Sequence, residues 1–215
     1  MSSWISSRVN PVKKRIVNIP TIVPTFHILI ATSGRPSLKN MLDSLKYELL
    51  QNDAITVVFD GNSGKAKSLF SADWLKGHKS KIQIIEEDPN LGYWGHGIRN
   101  KYQGTLEQKT TYIMHADDDD VYIKGSFNRL RQLCTDPNIL YIAKMLNVVH
   151  GNTIPSQSHS IVKDDIGTPC GIIPFEIANK STWELKYAGD FDYYNNLYKY
   201  AKNTVFLDII IYKVL

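Results

Sequence analysis

From residue 26 onward, short apolar runs alternate with stretches in which apolar residues return every three or four positions. Phe26-His27-Ile28-Leu29-Ile30-Ala31 is too short for a helix and closes on Thr32-Ser33-Gly34-Arg35-Pro36, which predicts a strand ending in a turn. Leu38, Met41, Leu42, Leu45 and Leu49 then recur at helical spacing, with Ser37 as the expected N-cap. Strands are predicted at 54–59, 82–85 and 111–116, with a helix over 95–106 before the last of these. This β-α-β-loop-β-α-β order predicts an α/β fold, a mostly parallel central sheet of Rossmann-like type with helices on both faces. The second half is less regular. It reads as a helix over 127–134, a strand over 140–149, a polar loop over 150–168, a helix over 191–201 and a closing strand over 205–214.

Pro11, Pro20 and Pro24 suit an extended arm over residues 1–25, leaving 26–215 as one domain. A hydrophobic share of 43% and a charged share of 21% over 215 residues are those of a soluble globular chain. The net charge of +4 is not gathered into a basic stripe, and Lys13-Lys14-Arg15 reads as a solvated surface, so no nucleic-acid partner is expected. Residues 1–15 have no uninterrupted apolar run, unlike a secretory leader, and no later stretch is long and apolar enough for a transmembrane segment. Cys134 and Cys170 read as two reduced thiols, and the default expectation is a cytoplasmic protein.

The sharpest chemical feature is Asp117-Asp118-Asp119-Asp120, which follows directly on a strand. Four adjacent carboxylates repel one another, and a hard cation such as Mn²⁺ or Mg²⁺ relieves that repulsion; the alternative is a solvated acidic turn. Asp60 also ends a strand, and Arg35 sits in the turn after the first one. All three features therefore fall at the carboxyl ends of strands, where parallel sheets bind ligands. In Asn90-Leu91-Gly92-Tyr93-Trp94-Gly95-His96-Gly97-Ile98-Arg99, the glycines suggest a backbone that bends or approaches a ligand, and Arg99 is a second phosphate-binding candidate. Asp190 and Asp192 open the late helix, where they serve either as helix-start carboxylates or as a general base for an acceptor hydroxyl. Trp183 and the Tyr-rich helix offer a sugar-stacking surface or, more simply, core; His150 and His159 offer metal ligands or ordinary loop residues. A dehalogenase-type phosphatase would need Asp at position 58, where Val stands, and Gly61 to Ala66 lacks the spacing of a phosphate-binding loop.

Taken in order, these segments resemble the family 2 glycosyltransferases and their GT-A relatives. Ile30 to Pro36 looks like the family's first strand and turn. Val57-Val58-Phe59-Asp60-Gly61-Asn62 is similar to its Val-Val-Asp-Asp-Gly-Ser, with Phe59 in place of one Asp. Asn90-Leu91-Gly92 through Arg99-Asn100 matches its Asn-x-Gly … Ala-Arg-Asn segment, and Tyr112 to Asp120 its strand ending in Asp-x-Asp-Asp. The likeness covers roughly residues 26–125, and Gly189-Asp190 matches the family's late carboxylate base more loosely. It implies a GT-A fold with residues 26–125 as the nucleotide-sugar half and 126–215 as the acceptor half. It also implies Asp60 on the base, and Thr32, Ser33 and Arg35 lining a nucleotide pocket with Asn90, Gly92 and Arg99. Asp117 and Asp118 would meet ribose or sugar, Asp119 with Asp117 would hold Mn²⁺ or Mg²⁺, and Asp190 or Asp192 would act as base. The implied donor is a nucleotide-sugar, UDP-linked by preference, and the acceptor a glycan or glycoconjugate. A sugar-nucleotidyltransferase and a non-catalytic nucleotide- or glycan-binding module remain the alternatives.

Overall fold

The computed structural model describes residues 23–61, 77–107, 109–157 and 159–215. Most of the expected arm, the Lys13-Lys14-Arg15 run and the segment after Gly61 lie outside the described residues.

Its elements run β1 (Phe26–Thr32), α1 (Leu38–Leu45), β2 (Ala54–Asp60), β3 (Lys81–Glu87), α2 (His96–Tyr102), β4 (Tyr112–Asp117) and β5 (Val121–Tyr122). They continue with α3 (Ser126–Leu133), β6 (Ile139–Asn147), β7 (Asn152–Ile154), β8 (Gly171–Pro174), α4 (Gly189–Leu197) and β9 (Asn203–Val214). The strands form one sheet in the order β3-β2-β1-β4-β8-β6-β9-β5, with β7 beside β6. The long ladders, β1 with β2 and β4, β2 with β3, and β6 with β9, are parallel, while the antiparallel joins span only two or three paired residues. The fold is thus mixed α/β with a mostly parallel sheet flanked by helices, as the alternation of apolar rhythms predicts.

The apolar runs sit where their continuity requires. Every residue of β1 is buried, because β1 lies between β2 and β4 and is covered on both faces. Leu38, Met41, Leu42 and Leu45 form the buried face of α1. Ser37 does not cap that helix: its own backbone is already helical (φ −58°, ψ −26°), so its hydroxyl makes no capping bond. Three strands went unforeseen because they are short, among them the three-residue β7 inside the expected polar loop over 150–168. β8 is four residues bounded by Pro174, and β5 is two, too few for any periodicity to register. Yet β8 is the splice that joins β4 to β6 and so fuses the regular and irregular halves into one sheet.

Strand order also locates the cleft. β1 is followed by β2 on one side, and the chain later crosses back to place β4 on the other. This reversal opens a crevice at the carboxyl ends of β1 and β4, where Ala31 pairs with Asp117. The opposite ends of the strands are tied by Asp53. Its buried carboxylate accepts the N–H groups of Phe26 (2.8 Å) and Leu50 (2.6 Å) and pairs with Arg131 of α3. Arg131 also lies 5.2 Å from the Phe26 ring centre. Replacing Arg131 with Met keeps the apolar stem but strands the Asp53 charge, an expected loss of about 3 kcal/mol. Urea denaturation of Arg131→Met against wild type reads this as a lowered midpoint with an unchanged slope.

Candidate functional site

The four aspartates after β4 do not share one environment. Their side chains alternate: Asp117 and Asp119 are partly exposed, while Asp118 and Asp120 are buried. Each of the first three has a cationic partner. Arg99 pairs with Asp117, and Arg35 bridges Asp118 and, at 2.7 Å, Asp119. The Thr32 hydroxyl also donates to Asp118, which ties the end of β1 to the turn after β4. Asp120 accepts the Leu215 N–H at 3.1 Å. Burial pushes its carboxyl up to about 7, with the charges of Asp117 and Asp119 adding to the shift.

Asp60, at the end of β2, holds a loop. Its two carboxylate oxygens accept the N–H groups of Leu91 (2.6 Å) and Gly92 (2.9 Å), and its carbonyl accepts from the Asn90 amide. Gly61 follows with φ +78°, and a Cβ there would lie 2.5 Å from the Asn90 Cβ. The glycine-bearing segment therefore bends because it is clamped onto the β2 end.

Arg99 lies beneath the cleft, with no exposed surface. It donates to the Trp94 carbonyl (2.8 Å), the Ala116 carbonyl (3.4 Å) and Asp117, and sits 5.1 Å from the Trp183 ring centre. It thus positions Asp117 and the Trp94 turn from below. Trp183 itself is fully buried, stacked on Tyr193 at 4.2 Å, so the core reading holds for it and for the Tyr193-Tyr194 pair.

A cleft of about 610 Å³ gathers these groups. Thr32, Ser33, Arg35, Asp60, Asn90, Gly92, Asp117, Asp118 and Asp119 all line it, so Asp60 and Asp119 share one cavity. Of the two late carboxylates, Asp190 lines the cleft, whereas Asp192 is paired with Lys186 at 2.7 Å. Burial raises the Asp190 carboxyl above the ordinary range, and the charge of Asp117 adds to this against the Phe191 N–H. Both carboxylates fall in the first turn of α4, but the helix enters through Ala188 at φ 58° and no side chain caps it. His150 and His159 lie outside the cleft lining. Cleft residues that the sequence did not single out include Trp94, Lys186 and Tyr187. Nothing in periodicity marks them, because all three sit in irregular segments.

Among the described residues, no group of three His, Cys, Asp or Glu is arranged to hold a metal ion, and no helix is long and apolar enough to cross a membrane. The cleft-lining carboxylates of Asp60, Asp117, Asp118, Asp119, Asp120 and Asp190 nevertheless outnumber the Arg35 and Lys186 cations beside them.

No protein-family model matches the sequence, and a search of curated proteins by sequence finds no match. Solved structures do match. S. aureus TarS 1–349 in complex with UDP aligns with a TM-score of 0.66 at 17% identity, covering 88% of this chain and 60% of that one. The same protein with UDP-GlcNAc aligns at 0.61 with 16% identity, covering 88% and 58%. A mannosyltransferase from Pyrobaculum calidifontis, PcManGT, in complex with GDP-Man and Mn²⁺, aligns at 0.68 with 12% identity, covering 91% and 58%. The chain spans about 60% of the length of the TarS structures it matches. At these identities the likeness is one of fold: this chain has the α/β architecture on which those proteins bind nucleotides and nucleotide-sugars.

Asp60→Asn should keep the shape of the β2 end but replace one acceptor with an amide that faces an N–H. The lost bond, worth about 1–2 kcal/mol, should speed hydrogen exchange at the Leu91 and Gly92 amides roughly tenfold. Unchanged exchange at both amides would show that the loop is held by something else.

Proposed function

We propose that the chain is a glycosyltransferase of the family 2 type, moving a sugar from a nucleotide-diphosphate donor, UDP-linked by preference, to a hydroxyl of a glycan or glycoconjugate. The observation that carries this reading is the single cleft at the switch point of the sheet, walled by carboxylates from the ends of β2 and β4 and from the start of α4. Solved structures of the same fold hold UDP, UDP-GlcNAc, or GDP-Man with Mn²⁺, which adds support.

A diphosphate entering a cleft richer in carboxylates than in cations needs added positive charge. Asp117 and Asp119 would hold a divalent cation, Mn²⁺ or Mg²⁺. Their partly exposed carboxylates are hard oxygen donors, and such ions are commonly bound through one or two carboxylates with phosphates and water completing the shell. When bound, the ion supplies charge neutralisation for the departing diphosphate.

The chain's own residues do the rest. Asp60 retains lone pairs beyond those given to Leu91 and Gly92 and accepts from the nucleotide base. Thr32, Ser33, Asn90 and Gly92 wall the nucleoside, and Asp118 keeps Arg35 at the phosphate end. Arg99 fixes Asp117 from beneath, where sugar and ribose pass. Asp190 takes the proton from the acceptor hydroxyl as the acceptor oxygen bonds to the anomeric carbon and the sugar–phosphate bond breaks. Attack from the face opposite the leaving group gives inversion. Asp192 anchors Lys186 and acts on the cleft through it.

Asp119→Ala should remove metal-dependent turnover of UDP- and GDP-sugars with the fold intact by circular dichroism. Full turnover in that variant would remove the metal role. Asp190→Asn should cut transfer to acceptor roughly 100-fold or more while donor affinity changes little. A wild-type rate in this variant would sink Asp190 as base, and nucleotide binding without any turnover by the wild type would favour a binding module.

A further inference from the structure

The cleft carries two large aromatic side chains that burial does not explain. Trp94 is 70% exposed and Tyr187 76%, and both line the cavity. Trp94 itself, and the residue after Tyr187, have unfavourable backbone. Tyr93 and Trp94 are consecutive left-handed residues (φ 56° and 53°), and Ala188, next to Tyr187, has φ 58°. Non-glycine residues in this region carry a steric cost that packing elsewhere must offset, and such strain concentrates where it serves a ligand. The offsetting contact for Trp94 is visible: the buried Arg99 guanidinium holds its carbonyl at 2.8 Å. Gly95, at φ 81°, could take no Cβ without meeting that of Ala31 at 2.6 Å. The turn is therefore rigid at its base and presents its indole outward.

Contacts place this aromatic surface beside Asp190. The Trp94 ring lies 6.3 Å from that of His96, and the His96 Cε1 is 2.8 Å from where a Cβ of Gly189 would stand. Gly189 immediately precedes Asp190. His96 also lines the cavity, and its Nδ1 contacts the Glu184 carbonyl at 2.8 Å. A carbonyl can only accept, so Nδ1 carries the hydrogen and, in the neutral ring, Nε2 is left as an acceptor. A flat apolar face next to a hydrogen-bond acceptor is the chemistry that recognises a sugar ring, with its C–H face on one side and hydroxyls at its edge.

We propose that Trp94, Tyr187 and the Nε2 of His96 form the acceptor-side subsite, taking a pyranose ring whose apolar face stacks on the aromatic side chains while a ring hydroxyl donates to His96. This rests on the transferase reading above only for the word acceptor. The ring-binding surface itself is an independent claim.

The test is saturation-transfer NMR on the full chain with the methyl β-glycosides of glucose, galactose, mannose and N-acetylglucosamine, alongside a separate calorimetric titration with UDP and MnCl₂. At least one glycoside should receive saturation, strongest at its axial ring protons. The signal should fall roughly fivefold in Trp94→Ala and in Tyr187→Ala and return in Trp94→Phe, which keeps a flat face. Tyr47→Ala, an equally exposed tyrosine outside the cleft lining, should keep the full signal. No saturation of any glycoside by the wild type, or equal signals in Trp94→Ala and wild type, would overturn the subsite. Glycoside binding that depends on Trp94 together with no UDP affinity would uphold the subsite and sink the transferase reading instead.

Discussion

The ion pair between the fully buried guanidinium of Arg99 and the partly exposed carboxylate of Asp117 is the contact on which the cleft depends. A guanidinium with no exposed surface is tolerable only when its charge is met, and here three acceptors meet it at once through its two terminal nitrogens, while Nε has no hydrogen-bond partner among the described residues. Asp117 ends β4, the Ala116 carbonyl belongs to the same strand, and the Trp94 carbonyl belongs to the turn before α2. Trp183, from the second half of the chain, closes over the guanidinium as a ring face. One side chain thus fixes the direction of the first cleft aspartate and the shape of the aromatic turn. It also registers the late, irregular segment against the sheet.

Around that centre, the burial pattern sorts four chemically identical residues into two roles. Asp118 and Asp120 face inward and are used up by Thr32, Arg35 and the Leu215 N–H, whereas Asp117 and Asp119 keep surface in the cleft. A run of four aspartates is costly as sequence and economical as structure, since the inward pair builds the turn that aims the outward pair. Asp60 follows the same logic one strand away. Its carboxylate folds the Asn90–Gly92 loop over the sheet edge and still borders the cavity.

Much of this was legible in the residues. Continuous apolar runs gave β1, β2 and β4, and Leu38, Met41, Leu42 and Leu45 gave α1, because these elements bury themselves against the sheet and their periodicity reports it. The strand ends, and with them Arg35, Asp60 and the aspartate run, followed from the turn residues. What stayed hidden lacks periodicity or depends on long-range contact. β8 is too short to carry a pattern. Ser37 has the composition of a cap but the wrong backbone angles for one. Arg99 reads as a phosphate binder in a glycine-rich loop, and only the three-dimensional meeting of that loop with β4 and Trp183 turns it inward. That Asp192 pairs with Lys186 while Asp190 lines the cleft cannot be inferred from spacing.

The central claim is that one crevice between the ends of β1 and β4 receives a cation and a nucleoside diphosphate together. Crystals grown with UDP and MnCl₂, measured at the manganese absorption edge, test this most directly. An anomalous peak bridging the Asp117 and Asp119 carboxylates and the diphosphate is the predicted result. Nucleotide density elsewhere on the molecule, or manganese bound away from both aspartates, would contradict the account.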